Sequence, residues 1–182
     1  MKVKVILTIA ALTAMILSGC AKGGANKVEE TITISSPAFK NGETIPVKYT
    51  GFGEDVSIPL NWENIPDKTK SIAILMDDPD APIGTFTHWI IFNIPANKTG
   101  LPEGVPQEAE LPDGSKQGRN DFGRIGYNGP MPPSGKVHHY IITIFALDTV
   151  LNLPAGINAK TFHRALQGHI LAEGKLVGLY KR

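Results

Sequence analysis

Two stretches of uncharged, mostly apolar residues limit the fold of this chain more than any other feature. His88–Ile94 and Tyr140–Leu147 are rich in Ile, Phe and Trp and run with little polar interruption. Such runs are typical of central strands that are covered on both faces. The chain also contains 19 Gly and 14 Pro residues, which break helices and favour turns, so its composition disfavours a helical bundle.

Shorter segments around these two predict further strands. They are Thr31–Ser35, Thr44–Thr50, Ser57–Trp62, Ser71–Met76 and Leu176–Tyr180. One helix is predicted from about Asn158 to Ala172, because apolar residues recur there at helical spacing, and Gly174 is its predicted C-terminal stop. Residues 97–134 are rich in proline and predict a long loop. We therefore expect a mainly antiparallel β domain with one helix near its C-terminus.

The first twenty residues have the layout of a secretory signal. Lys2 and Lys4 precede an uncharged run that is shorter than the about 20 residues of a membrane-spanning helix. Leu17-Ser18-Gly19-Cys20 then resembles a bacterial lipobox, although a short membrane anchor or buried helix that stays attached is the alternative. We expect residues 1–19 to be removed, Cys20 to carry lipid such as palmitate, and residues 20–30 to form a tether. Residues 31–182 would then be a domain held at the cell envelope, facing the periplasm or exterior.

Charge and cysteine content exclude several classes of protein. The formal net charge is +1, which provides no basic field for nucleic acid. The single cysteine allows neither an internal disulfide framework nor a cysteine-rich zinc site.

An acidic turn follows the predicted strand Ser71–Met76. The segment Asp77–Pro82 contains three carboxylates, and its two prolines restrict where those carboxylates can lie. A solvated surface turn could have the same composition, so the turn alone does not identify a site.

Histidines open both long apolar strands. Because side chains alternate along a strand, His138 and Tyr140 should lie on one face and His139 on the other, and His88 should share a face with Ile90. Each could be a satisfied core histidine. If the two strands are neighbours in the sheet, however, His88 and His138 can converge, and the acidic turn can join them.

A glycine- and proline-rich segment, Gly126–Gly135, precedes His138. Glycines let backbone N–H groups approach a ligand and prolines stiffen a rim, so this segment, the imidazoles and a phenol would suit a phosphate monoester or diester. Two His and one Asp could in principle bind iron or zinc instead, and their separation of tens of residues neither supports nor excludes a metal. No nucleophile elbow, zinc-protease helix motif or intact P-loop occurs.

These residues resemble the phosphatidylethanolamine-binding protein family, and in particular its bacterial branch of Raf-kinase-inhibitor-like proteins. Asp78-Pro79-Asp80-Ala81-Pro82 is similar to the family's D-P-D-x-P signature, and His88 beside Trp89 to its second-strand histidine. Gly126–Pro133 followed by His138-His139-Tyr140 is similar to its glycine–proline loop and H-R-Y segment. The resemblance extends from about Thr31 to Arg182.

The resemblance implies a large antiparallel sheet packed on a smaller one, with minor helical elements, and a small pocket for phosphate or phosphoethanolamine head groups. The residues that match the family's pocket are Asp78, Phe86, His88, Pro132, His138 and Tyr140. It implies no cofactor and no general enzymatic activity, since members act mostly as binders and modulators of kinases or proteases.

Two departures from the family pattern matter. His139 stands where the family usually has Arg, so any bracing salt bridge of the loop must differ here. The sequence ends at Arg182 without the C-terminal helix that partly covers the pocket in animal members. An open pocket should bind more weakly and less selectively.

The leading hypothesis is therefore a membrane-tethered, non-enzymatic protein that binds a small phosphorylated or anionic ligand. The alternative is a protein-interaction module that inhibits a protease or another extracytoplasmic partner. A hydrolase of phosphate or acyl esters is less favoured, because it would need water as its nucleophile. A protein partner and a homodimer are left open.

Overall fold

The computed structural model describes residues 32–182, which form two antiparallel sheets and one helix. The strands are β1 Thr33–Ser35, β2 Leu60–Glu63, β3 Ser71–Asp78, β4 Phe86–Pro95, β5 Gly100–Leu101, β6 Lys116–Gln117, β7 His138–Leu147 and β8 Ile170–Tyr180. The helix α1 spans Ala159–Leu166, and Val47–Tyr49 form a short 3-10 turn. The predicted signal peptide and tether lie outside the described residues. Within the described part of the chain, no helix is long and apolar enough to cross a membrane.

The large sheet has the strand order β6-β4-β3-β7-β8 and the small sheet the order β1-β2-β5. One face of the large sheet packs against the small sheet, where Ile74 and Ile142 meet Trp62 in a common apolar core. Its other face packs against α1, where Phe145 lies 6.3 Å from the ring centroid of Phe162. Both faces of β4 and β7 are thus covered, which explains their nearly continuous apolar sequences. The predicted architecture, a large antiparallel sheet packed on a smaller one with one helix near the C-terminus, is confirmed.

The strands β4 and β7 are not neighbours in the sheet, although the expected convergence of His88 and His138 was conditional on their being so. Strand β3 lies between them, with Leu75 opposite Ile90 of β4 and Thr143 of β7. The last residue of β3, Asp78, therefore lies between the first residues of the two histidine-bearing strands. The three side chains converge because β3 places the carboxylate in the middle.

A β-bulge in β4 places His88 on the opposite face of the sheet from the one that strand alternation predicts. Met76 pairs with Trp89 and Asp77 pairs with Thr87, which leaves His88 as the extra residue. Trp89 belongs to the core between the two sheets, whereas Ile90 faces α1. The His88 ring lies with Trp89 on the side of the small sheet, not with Ile90, because the bulge interrupts the alternation on which that expectation rested.

Two of the predicted strands are interrupted or shortened at a proline. Thr44–Thr50 contains only a single bridge residue, Thr44, because Pro46 begins a 3-10 turn whose N–H groups bond locally. The strand predicted over Ser57–Trp62 begins at Leu60, after Pro59, which has no N–H to donate.

The helix is shorter than predicted. Asn158 caps its N-terminus, with Oδ1 accepting from the Thr161 N–H at 2.9 Å, but the helix ends at Leu166. Gly168 has a φ of 82°, and the chain then returns as β8 from Ile170. Gly174 is therefore a residue within β8 and not a helix stop, since pairing with β7 outweighs the local helical pattern.

The position of Gly174 leads to a stability prediction. A Cβ atom added there would lie 2.1 Å from the Ile32 carbonyl oxygen, which belongs to the backbone and cannot move away freely. Gly174→Ala should lower the free energy of unfolding by about 1–3 kcal/mol in denaturant titrations. Gly51→Ala is the matched control, because the atoms nearest to its Cβ belong to the flexible Met131 side chain, from 3.1 Å. Equal losses in the two variants would contradict this account.

Candidate functional site

A cavity of about 220 Å³ lies where β3 ends and β4 and β7 begin. All of the residues predicted from the sequence line it, namely Asp78, Phe86, His88, Pro132, His138 and Tyr140. Ile83, Phe122 and Met131, which the sequence did not single out, line it as well. The structure thus brings the six candidate residues together. Their binding of a ligand stays a prediction.

A buried carboxylate–imidazole pair forms one wall of the cavity. Nδ1 of His138 lies 2.7 Å from Oδ2 of Asp78, and the two side chains are only 1% and 4% exposed. The other carboxylate oxygen accepts the backbone N–H of Asp80 at 2.8 Å. Because a carboxylate only accepts, Nδ1 carries the hydrogen, and Nε2 is the nitrogen of His138 that remains for the cavity.

His88 has a different hydrogen-bond partner. Its Nδ1 lies 2.8 Å from the backbone carbonyl oxygen of Asn128, which can only accept, so this nitrogen also carries a hydrogen. Burial lowers the pKa of His88, opposed by the Asn128 carbonyl and by the charges of Asp78 and Asp55. The ring is held between aromatic neighbours, with its centroid 5.1 Å from that of Tyr140 and 5.2 Å from that of Phe86.

The Tyr140 hydroxyl is a buried polar group without a partner among residues 32–182. Asp78 and the backbone of Met131 lie near it, but neither has hydrogen-bond geometry towards it. Burial and then the charge of Asp78 raise the pKa of Tyr140 well above its usual range. The phenol therefore stays neutral and keeps a hydrogen to donate.

The first half of the glycine–proline loop forms a buried rim, whereas Met131 and residues 133–137 after it are exposed. Residues 126–130 are all buried, and a Cβ on Gly129 would lie 1.9 Å from the Tyr49 carbonyl oxygen. The expectation that this loop offers backbone N–H groups to a ligand needs correction. The N–H groups of Gly126, Asn128 and Gly129 all donate within the protein. The expectation is therefore wrong for these three residues, whose N–H groups are not left for a ligand.

Three buried or half-buried residues that the sequence reasoning missed hold this loop in place. Asp55 accepts from Nδ2 of Asn128 at 2.8 Å and from the Gly129 N–H at 2.6 Å. Oδ1 of Asn128 accepts in turn from Asn120 at 2.8 Å. The network fixes the Asn128 carbonyl that orients His88. Asn128 lies within the loop motif, but no local signal marks Asp55, which is distant in sequence.

His139 lies outside the cavity and is half-exposed, as strand alternation predicted. Its Nδ1 and its backbone N–H lie 2.7 and 2.8 Å from Oδ2 of Asp80. This hydrogen bonding lowers the pKa of Asp80. An imidazole thus braces the acidic turn where the family usually has an Arg. An exposed pair of this kind adds little stability by itself.

Within residues 32–182, no group of three or more His, Cys, Asp or Glu side chains is arranged to hold a metal ion. The cavity contains one carboxylate and two imidazoles, and both imidazoles use Nδ1 for hydrogen bonds within the protein.

A family model described as Phosphatidylethanolamine-binding protein matches residues 35–181. The chain belongs to the phosphatidylethanolamine-binding protein family. Among similar proteins, a UPF0098 protein of Pyrococcus horikoshii is 50% identical over 183 residues, covering 98% of this chain and 90% of that protein. A UPF0098 protein of Methanothermobacter thermautotrophicus is 50% identical over 151 residues, covering 83% of this chain and 99% of that protein.

Solved structures of phosphatidylethanolamine-binding proteins show the same fold. A homologue from Chlamydia trachomatis has a TM-score of 0.76 and 33% identity, covering 85% of this chain and 99% of its own. Escherichia coli YbcL, described as a member of the mammalian family, has a TM-score of 0.78 and 33% identity, covering 84% of this chain and 99% of its own.

The Asp55 network leads to a prediction for this family member. Asp55→Ala leaves two donors of the loop without their acceptor, so the free energy of unfolding should fall by about 1–3 kcal/mol. The neighbouring Glu54 is exposed, and Glu54→Ala is the control that removes a carboxylate without touching the loop. Denaturant unfolding of both variants checks the difference, and an unchanged Asp55→Ala protein would show that the network is not needed.

Proposed function

We propose that this protein is a non-enzymatic binding protein whose cavity takes a small anion, such as a phosphate group or a phosphorylated head group. The observation that carries the proposal is the convergence of two imidazoles and an unpartnered phenol on one cavity of about 220 Å³. His138 and Tyr140 can donate hydrogen bonds from this largely apolar enclosure, which suits an anion that must leave water.

The Asp78–His138 pair supports an anion site for an electrostatic reason. A protonated imidazole buried alone would be costly, but a carboxylate at hydrogen-bond distance balances its charge. His138 can therefore be charged in the buried site and donate from Nε2 to a ligand oxygen. The Tyr140 hydroxyl adds a second, neutral donor.

The composition of the cavity wall favours binding over hydrolysis. A carboxylate that orients an imidazole is also the arrangement of a general base. Yet the described residues that line the cavity include no Ser, Thr or Cys that such a base could activate. Water would have to be the nucleophile, as the sequence already indicated, so we keep hydrolysis as the weaker candidate.

One observation favours the alternative of a protein-interaction module. Ile83 is 85% exposed, Met131 52% and Phe122 39%, and all three line the opening of the cavity. Apolar side chains in such a position can contact a partner. Residues 126–130 of the glycine–proline loop, however, are buried, so only its second half, with Met131 and residues 133–137, could contact such a partner. Ligand binding remains the conclusion that the geometry supports best.

Anion binding predicts a pH dependence that can be assigned to one histidine. Dimethyl phosphate has no second ionisation, so its affinity reports the titration of the protein alone. Because a protonated imidazole attracts an anion and a neutral one does not, its affinity for the full chain should fall as the pH rises from 5 to 8. His138→Gln should weaken binding at pH 5 by about tenfold, the effect of losing one charge-assisted hydrogen bond, and should flatten the profile.

His139→Gln is the matched control, since His139 pairs with Asp80 outside the cavity. It should keep the wild-type profile in isothermal titration calorimetry. Identical profiles for all three proteins would remove His138 from the anion site.

We also propose that the protein is anchored to a membrane of the cell envelope through lipid on Cys20. The support is the position of the only cysteine, directly after a sequence that resembles a lipobox. Cys20→Ala should move the protein from the membrane fraction to the soluble fraction, and mass spectrometry of the wild type should show removal of residues 1–19. If Cys20→Ala still pellets with membranes at full length, the anchor is of another kind.

A further inference from the structure

The two histidines of the cavity have different partners for the same ring nitrogen. Nδ1 of His138 donates to a carboxylate, whereas Nδ1 of His88 donates to the neutral carbonyl of Asn128. In a neutral imidazole with its hydrogen on Nδ1, Nε2 is an acceptor. His88 therefore presents a buried lone pair to the cavity.

We propose that His88 makes the cavity selective for phosphate groups that carry a proton, namely the monoanions of phosphate monoesters, over phosphodiesters of the same charge. The inference rests on the proposed anion binding and names the ligand class for that site. The P–OH group of a monoester monoanion donates to Nε2 of His88, and its other oxygens accept from His138 and Tyr140. A phosphodiester has no such hydrogen and leaves the lone pair without a partner.

The groups around His88 keep its ring neutral. The carboxylates that face it are Asp78 on β3 and Asp55 in the segment before β2, and His138 and Tyr140 face it from β7. Both carboxylates already accept hydrogen bonds from other donors. Burial outweighs their charge and lowers the pKa of His88. A protonated His138 in the same cavity would oppose a second positive charge further.

The surrounding backbone fixes the orientation of the His88 ring. The bulge in β4 turns His88 into the cavity. Asp55 and Asn120 hold the side chain of Asn128, and the backbone carbonyl of Asn128 accepts from Nδ1 of His88. The backbone N–H of Asn128 also donates to the His88 carbonyl, at 3.1 Å. The ring therefore cannot exchange its donor and acceptor nitrogens without losing the hydrogen bond to the fixed Asn128 carbonyl.

The test compares two small probes that differ in one proton donor. At pH 5.5 monomethyl phosphate is mostly a monoanion, because its second ionisation lies near ~6, and dimethyl phosphate is a monoanion without a hydroxyl. Isothermal titration calorimetry of the full chain in a non-ionic detergent should give about tenfold tighter binding of monomethyl phosphate, the effect of one hydrogen bond. At pH 8, where the monoester has lost its proton, the ratio of the two affinities should fall.

His88→Gln should reduce the preference, because a side-chain amide can turn to donate or accept. His139→Gln should leave the preference unchanged. If His88→Gln does not fold, ¹⁵N NMR of histidine-labelled wild type gives an independent readout. His88 should then show a hydrogen on Nδ1 and none on Nε2 at pH 5.5.

Three outcomes would overturn the proposal. Equal affinity for the two probes would remove the selectivity and leave anion binding intact. No binding of either probe would remove the proposed function and this inference with it. A charged His88 at pH 5.5 in the NMR spectrum would show that Nε2 donates and does not accept.

Discussion

Burial of the Asp78 carboxylate at the end of the central strand is the constraint from which the rest of the site follows. A carboxylate that is 4% exposed is tolerated only if its oxygens are paired. One oxygen accepts from His138 and the other from the Asp80 N–H. The first pairing requires β7 to begin beside the end of β3, and the second requires the chain to turn sharply after Asp78. The strand register and the acidic turn are thus coupled through one charged group.

The same residue type takes two roles in this cavity because its hydrogen-bond partners differ. A carboxylate beside Nδ1 allows His138 to carry a positive charge inside the protein. A carbonyl beside Nδ1 supplies no such charge, and burial then favours the neutral form of His88. Nε2 of neutral His88, an acceptor, and Nε2 of His138, a donor when the ring is protonated, therefore lie in one apolar cavity. If the proposed anion binds here, its protonation state should therefore matter as well as its net charge.

The sequence allowed prediction of those parts of the site that follow from local patterns. His138, Tyr140 and the outward His139 follow from strand alternation, and the acidic turn marks the end of β3. The face of His88 could not be predicted, because a bulge depends on pairing with β3 and has no signal in β4 itself. The role of Asp55 could not be predicted for a related reason, since its hydrogen bonds reach a loop more than seventy residues away. Likewise, the predicted C-terminal end of the helix is wrong, because the residues after Gly168 pair with β7 and form a strand.

The buried half of the glycine–proline loop lies beside the cavity, yet several of its backbone donors are used within the protein. Buried backbone N–H groups must be paired. Here Asn128 and Gly129 donate to His88 and Asp55, and Pro130 and Pro132 have no N–H that needs a partner. The loop closes the cavity with Met131, Pro132 and Pro133, while the donors of Asn128 and Gly129 are used elsewhere. In the proposed binding mode, discrimination between ligands depends on the side chains of His88, His138 and Tyr140, which offer one acceptor and two donors to the cavity.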